Sequence, residues 1–436
     1  MIAARSLRSF ALWSLAVLVL AGPVCAFAKP VSDAQIKLWR QQMRRALYIP
    51  DPLPATEPRF YGSFTPAPGV IAERVTYQTA YNLRVPAIVY RQATRPGGKM
   101  PAIVVVNGHG ADKSSWYSWY TGILYARAGA VALTYDPIGE GERNDDHKDF
   151  TGEHDKLVAD PASMPVRMGG LMITDILQAV SYLSERADVD PHRIAVMGFS
   201  MGSFHSALAG AADPRIHALL LVGGGDLDGP GGYWDSSHAV MCQSAPYKAL
   251  SFLGDRPAVL YTMSARRGST LIVNGTNDTV VDIPHHGPDF FAGLRRRVIA
   301  LNGSDHGVFT TYFDPGASHR PSWMTRTAAE WLDRQLHFPD WTEASIEHMP
   351  VVSIRDWAAS VGYPLSKSYA RQDRDAGIQA IAANVPLLTA TDTDVLSRSA
   401  WELLKSEFVY ASWVQRASAQ ARAEAMKPAQ QVGDER

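Results

Sequence analysis

The run Arg193-Ile194-Ala195-Val196-Met197-Gly198-Phe199-Ser200-Met201-Gly202 decides the fold. Its first half is a short apolar segment suited to a buried strand. It is entered from Val189-Asp190-Pro191-His192, where proline precedes the ladder it would interrupt. Its second half sets one serine between glycines two residues either side, and Ser203 to Gly210 beyond is small and helix-compatible. A strand that turns into a helix at one residue strains that residue and brings the two elements too close for bulky neighbours. The serine hydroxyl then stands at the apex, where a nucleophile belongs. With 34 glycines in 436 residues the bare pattern arises by chance about 0.2 times in such a chain, so its context carries the argument.

That context is an alternation of apolar strands and helical stretches. Strands are expected at Val70 to Thr79 and Leu83 to Tyr90, then at 102–106, 131–135, 194–197, 218–222, 270–273 and 297–301. Met172, Ile176, Val180 and Leu183 recur at helical spacing. Continuous apolar strands separated by helices mean a mostly parallel, doubly wound α/β sheet covered on both faces. Residues 29–69 read as an N-terminal helix and an extended lead-in, 70–337 as the α/β domain, and 338–436 as a helical C-terminal extension with a disordered tail. Within the domain, the glycine-rich stretch 223–268 is longer than a plain connection and reads as a cap or lid insertion. A long helix is expected from Asp394 to Ala423, with Trp401, Leu404, Phe408 and Ala411 on one face.

Composition limits the function. Hydrophobic residues make up 46% and charged residues 19%, with net charge −1, so there is no basic field to attract nucleic acid or anionic lipid. Arg5 and Arg8, the apolar run Phe10 to Leu20, and Ala26-Phe27-Ala28 form a tripartite export signal, 1–28, pointing to a periplasmic or secreted protein. That apolar run is too short to span a bilayer, so no stable membrane anchor is expected after cleavage. Cys25 leaves with the signal, and Cys242, then alone, reads as a buried small hydrophobe.

A serine hydroxyl is a weak nucleophile at neutral pH and needs a base, with an acid to orient it. In sheets of this type both follow the serine in the chain, each after a later strand. Asp278 takes the acid position, because Leu271-Ile272-Val273 runs into Asn274-Gly275-Thr276-Asn277-Asp278; Asp282 and Asp305 are substitutes. His306 takes the base position, because Ile299-Ala300-Leu301 runs into Asn302-Gly303-Ser304-Asp305-His306. For the oxyanion, one backbone donor is expected from Met201 and a second from His109, with Gly110 as the alternative. The cluster Asp145, Asp146, His147, Asp149, His154, Asp155 matches no metal-ligand spacing and reads as a solvated loop near the pocket rim. The run Trp116-Tyr117-Ser118-Trp119-Tyr120 reads either as helix-to-sheet packing or as a platform for a ring-shaped substrate.

These features together resemble the α/β-hydrolase superfamily, in its dienelactone-hydrolase-like and secreted acetyl-esterase-like branches, over about Val70 to Leu336. The resemblance rests on Asn107-Gly108-His109-Gly110, Asp136-Pro137-Ile138-Gly139-Glu140-Gly141-Glu142-Arg143, Val189 to Ile194, the serine turn and the two late turns. Where many members begin the first of these loops with histidine, this chain has Asn107. The resemblance implies Ser200 as nucleophile, His306 as general base and acid, Asp278 as its orienter, and hydrolysis of a small-molecule carboxylic ester with no cofactor or metal. The acyl group would be small, with an acylated carbohydrate as one candidate substrate. A prolyl-oligopeptidase-like peptidase and a catalytically silent binding protein of the same fold are the alternatives; oligomeric state is not legible.

Overall fold

The computed structural model describes residues 30–94, 97–147, 154, 162–229, 232, 234, 241–365, 375, 377–381 and 384–427. The expected export signal, Asp149, Asp155 and residues 428–436 lie outside these. Nine strands form one sheet: β1 (Arg59–Ala67), β2 (Val70–Gln78), β3 (Arg84–Gln92), β4 (Met100–Val106), β5 (Val131–Tyr135), β6 (Val189–Phe199), β7 (Ala218–Val222), β8 (Ser269–Gly275) and β9 (Thr310–Asp314). Their spatial order is β1-β2-β3-β5-β4-β6-β7-β8-β9. From β5 to β9 all neighbours are parallel, while β1 to β3 add an antiparallel flank. The sheet therefore begins at Arg59, within the stretch expected as lead-in.

Both faces are covered, and the strand period of two assigns residues to them. In β4, Ala102, Val104 and Val106 join one core while Ile103 and Val105 join the other; in β6, Ile194 and Val196 oppose Ala195, Met197 and Phe199. The first core is roofed by α1 (Asp33–Ala46), α3 (Met164–Glu185), α4 (Met201–Ala212), α6 (Arg256–Ala265) and α8 (Pro288–Asn302). The second is roofed by α2 (Trp116–Arg127), α9 (Arg326–Leu336) and the C-terminal extension. Between β7 and β8, α5 (Met241–Ala249) precedes α6. Val259, Leu260 and Met263 of α6 lie in the first core, so this part of 223–268 belongs to the wound layer rather than to a lid. A short α7 (Ile283–His286) precedes α8.

Two expectations are corrected. Residues 297–301 are not a strand but the last turns of α8, which starts at Pro288 and buries Phe291, Leu294 and Val298 at spacings of three and four. The last strand of this sheet is β9, a polar edge strand beyond them. The single helix expected over 394–423 is two, Arg398–Leu404 and Tyr410–Ala425, with a turn between. Buried Phe408 sits in that turn and its carbonyl accepts from Arg143 Nε at 3.4 Å, while the Asp145 carboxylate accepts from Ala411 N at the start of the second helix.

Among the contacts that bind the extension to the domain are two buried clusters. Trp357, almost wholly buried, lies 5.1–5.7 Å from Trp116, Trp119 and Tyr120 of α2, which identifies the aromatic run as packing. The other is a buried ion cluster. Lys113 Nζ is 2.6 Å from Asp136 Oδ2 and 2.9 Å from Glu142 Oε2, and the Glu142 carboxylate also accepts from the backbone N–H groups of Val395 and Leu396. One lysine between two carboxylates that are themselves hydrogen-bonded offsets a desolvation cost that none of the three could bear alone. Replacing Lys113 by methionine leaves two facing buried carboxylates, and should lower the unfolding free energy measured in urea by about 3–5 kcal/mol.

Candidate functional site

Ser200 joins β6 to α4 with φ 55° and ψ −118°, a conformation that costs a non-glycine residue about 1–3 kcal/mol. The strain is imposed by its surroundings. A Cβ on Gly198 would fall 2.3 Å from the carbonyl oxygen of Gly202, and one on Gly202 would fall 2.3 Å from that of Val106. The Ser200 N–H donates to Val222 O at 2.9 Å, tying the apex to the next strand. Gly108 closes on the turn from the other neighbouring strand: a Cβ there would lie 2.9 Å from Phe199 Cδ1 and 3.3 Å from Ser200 Cβ. Met201 is the first residue of α4, so its N–H belongs to the set that has no partner within the helix.

Asp278 lies in the turn after β8 and is fully buried. Its Oδ1 accepts from the Val280 and Val281 N–H groups at 3.0 and 3.4 Å, which fixes the carboxylate plane. Its Oδ2 is 2.8 Å from Nδ1 of His319. A carboxylate only accepts, so Nδ1 carries the proton and Nε2 is left as the basic nitrogen. The His319 ring, 5% exposed, packs at 4.8 Å on Phe199, the residue before Ser200. Gly223, at φ 60°, makes room for it: a Cβ there would sit 2.9 Å from His319 Cε1.

The structure thus gathers Ser200, Asp278 and a histidine at the carboxyl ends of β6, β8 and β9, but the histidine is not His306. His306 is exposed in the loop after α8, where its carbonyl accepts from Asn302 Nδ2. The displacement follows directly from the misread strand: with 297–301 helical, the turn after the last strand moves from residues 302–307 to the loop carrying His319. The signal was present in Thr310-Thr311-Tyr312-Phe313-Asp314, whose threonine and aromatic content suits a strand exposed on one side. Asp282 is at the surface with His285. Asn107 has a packing role: Nδ2 donates to Tyr135 O and Oδ1 accepts from Ser118 Oγ, joining β4 to β5 and α2.

The acid and histidine cluster after Arg143 splits between tasks. Asp145 caps the last helix, and His147 lies against Trp401 and 3.7 Å from Asp394, so this part of the loop holds the extension. His154 lies instead beside His109. Cys242 is buried, and its carbonyl contacts His205 Nε2 at 3.2 Å.

Burial pushes the His205 imidazole down to about 4, against the opposing contacts with the Cys242 and Met201 carbonyls. In the unfolded chain it titrates near 6.5. Between those values the unfolded state binds more protons, so this group's contribution to stability is present near neutrality and is lost on acidification from about 6.5 to about 4. His205→Gln should remove roughly 2 kcal/mol of the decline in unfolding free energy between pH 7 and pH 4.5, measured by urea titration at each pH.

Two family models match overlapping parts of the chain: acetyl xylan esterase over residues 54–222 and the prolyl oligopeptidase family over residues 163–345. Among solved structures, methylesterase BT1017 superposes with a TM-score of 0.57 at 19% identity, covering 91% of this chain and 77% of that one. The uncharacterized protein PA2218 of Pseudomonas aeruginosa is 28% identical over 147 residues, 34% of this chain and 35% of that protein. Thiohydrolase apmlB of Arthrinium phaeospermum is 27% identical over 152 residues, 35% of this chain and 43% of that protein. The chain therefore spans less than half the length of these curated relatives.

Proposed function

We propose that the chain is an exported serine hydrolase of the α/β-hydrolase superfamily, cleaving carboxylic esters with Ser200 as nucleophile, His319 as base and acid, and Asp278 as orienter. The observation that carries this reading is the 2.8 Å contact of His319 Nδ1 with a buried Asp278, beside a serine held at positive φ. Ser200 Oγ attacks the ester carbonyl as His319 Nε2 takes its proton, and Asp278 stabilises the imidazolium that forms. The Met201 and His109 N–H groups receive the oxyanion, with the positive end of α4 behind Met201. Collapse of the intermediate expels the alcohol, which takes the proton from His319, and leaves the acyl group on Ser200. Water, deprotonated by His319, then releases the acid and restores the enzyme.

The acetyl xylan esterase match and the methylesterase neighbour support an ester with a small acyl or alkyl part. The tripartite leader supports action outside the cytoplasm. The prolyl oligopeptidase match keeps an amide-cleaving reading in play. In this reading Ser200→Ala and His319→Ala each lower kcat on an acetyl ester by about 10⁴-fold or more, and Asp278→Asn by about 10⁴-fold. His306→Ala stays within threefold of wild type. A fluorophosphonate should label wild type at Ser200 and spare Ser200→Ala. Faster turnover of Xaa-Pro amides than of acetyl esters would replace the esterase by a peptidase, and full activity of His319→Ala would sink the assignment of the base.

A further inference from the structure

On the face of the sheet that carries the second core, the outermost strand is partly open to solvent. Thr310, Tyr312 and Asp314 of β9 stand in register with Leu271, Val273 and Gly275 of β8, so all three lie on that face. Leu271 and Val273 are buried there, whereas Tyr312 is 38% exposed. This strip borders a cavity of about 420 Å³, lined by Val273, Tyr312 and Asp314 of the sheet, by Arg320 of the loop after β9, and by Val351 and Gln379 of the extension. The extension's two residues belong to a small antiparallel sheet, β10 (Val351–Ser353) with β11 (Gln379–Ile381), bridged at Ala380 to the cap of α9 at Thr325. Arg326, at the start of α9, holds that frame by donating to the carbonyls of Ile346 and Met349, at the end of α10 (Glu343–His348), at 3.2 and 3.0 Å.

The polar groups of the lining select a ligand class. Asp314 Oδ2 accepts from Arg320 Nη2, so a group that only accepts sits beside a group that only donates, and their charges cancel. An anion would meet Asp314, and a cation would meet Arg320. A neutral ring with adjacent hydroxyls, each able to donate and to accept, satisfies both, and bonds to charged partners are stronger than those between neutral groups. The Gln379 amide, exposed and with its nitrogen 3.4 Å from Gly377 O, adds an acceptor and a donor. Tyr312 and Val351, the latter 41% exposed, supply apolar surface for the C–H face of such a ring. The volume falls within the ~300–1,000 Å³ of small-molecule pockets.

We propose that this cavity is a non-catalytic carbohydrate-binding site for neutral sugar rings, built jointly by the edge of the sheet and the C-terminal extension. Its place in the fold sets it close in sequence to the histidine of the serine site: Asp314 and Arg320 flank the loop segment that carries His319, and Arg320 follows that histidine directly. The site goes beyond the acyl-transfer reading, and its test needs no turnover.

Xylohexaose, cellohexaose and mannohexaose are titrated into the full chain by calorimetry. At least one should bind. Tyr312→Ala and Gln379→Ala should each weaken that hexaose at least tenfold, with unchanged near-UV circular dichroism as the check on folding. Val351→Trp, which crowds the cavity from the opposite wall without removing a buried contact, should do the same. Ser200→Ala should bind the hexaose within threefold of wild type, and hydrogen exchange should show protection by it in peptides spanning residues 310–316 and 377–381. Binding by none of the three hexaoses, or binding unchanged in all three cavity variants, would overturn the proposal and leave the esterase reading intact. Tighter binding of hexagalacturonate than of every neutral hexaose would also overturn it, in favour of an anion site. Loss of hexaose binding in the cavity variants of a protein that turns over no ester would sustain the site while counting against the esterase.

Discussion

The passage of α4 across β6 with no space for a methyl group is the constraint on which the site depends. Gly198 and Gly202 allow it, and the contacts of 2.3 Å that a Cβ would make at each show how little latitude remains. Once helix and strand are pressed together, the connecting residue has to take the strained conformation seen at Ser200. The same closeness orders the neighbours. Phe199 is wedged between Gly108 on one side and the His319 ring on the other, and the Ser200 amide is pinned to Val222. Rigid backbone, rather than long side chains, therefore sets most of the geometry around the hydroxyl.

What the sequence made legible follows from burial. Central parallel strands are covered on both faces, so β4 to β8 stand out as apolar runs, and the turns at their carboxyl ends lead to Ser200 and Asp278. That rule fails at the rim of the sheet. β9 is an edge strand with Thr310, Thr311 and Tyr312 exposed, so it lacks the apolar signature, while the end of α8 carries four apolar residues in a row and imitates it. A five-residue window cannot distinguish a buried strand from the inner turns of a helix. The spacing of Phe291, Leu294 and Val298, together with Pro288 at the helix start, resolves the ambiguity only over a longer window. His319 was lost through that one substitution of element type.

The extension illustrates a second limit. Its apolar face was readable, but its break between Leu404 and Tyr410 is determined by groups far away in sequence: Arg143 on the Phe408 carbonyl and Asp145 on the Ala411 amide. The loop after β5 looked like a family motif near the pocket, and the structure gives much of it a structural task. Asp136 and Glu142 share Lys113, Arg143 pairs with Asp175 at 2.6 Å, and the Trp401 indole donates to the Glu142 carbonyl. Glu140, in the same loop, faces His154 instead. One turn of eight residues thus carries both the seat of the C-terminal extension and a buried carboxylate 3.6 Å from His154.

The Glu142 carboxylate accepts amides from Val395 and Leu396, residues that emerge from the ribosome long after the sheet itself. Until that late segment arrives, a carboxylate destined for the interior has lost part of its hydrogen bonding, and the turn it belongs to lacks a lid against water. Completion of the turn after β5 is in this way deferred until the segment carrying Val395 and Leu396 has been made.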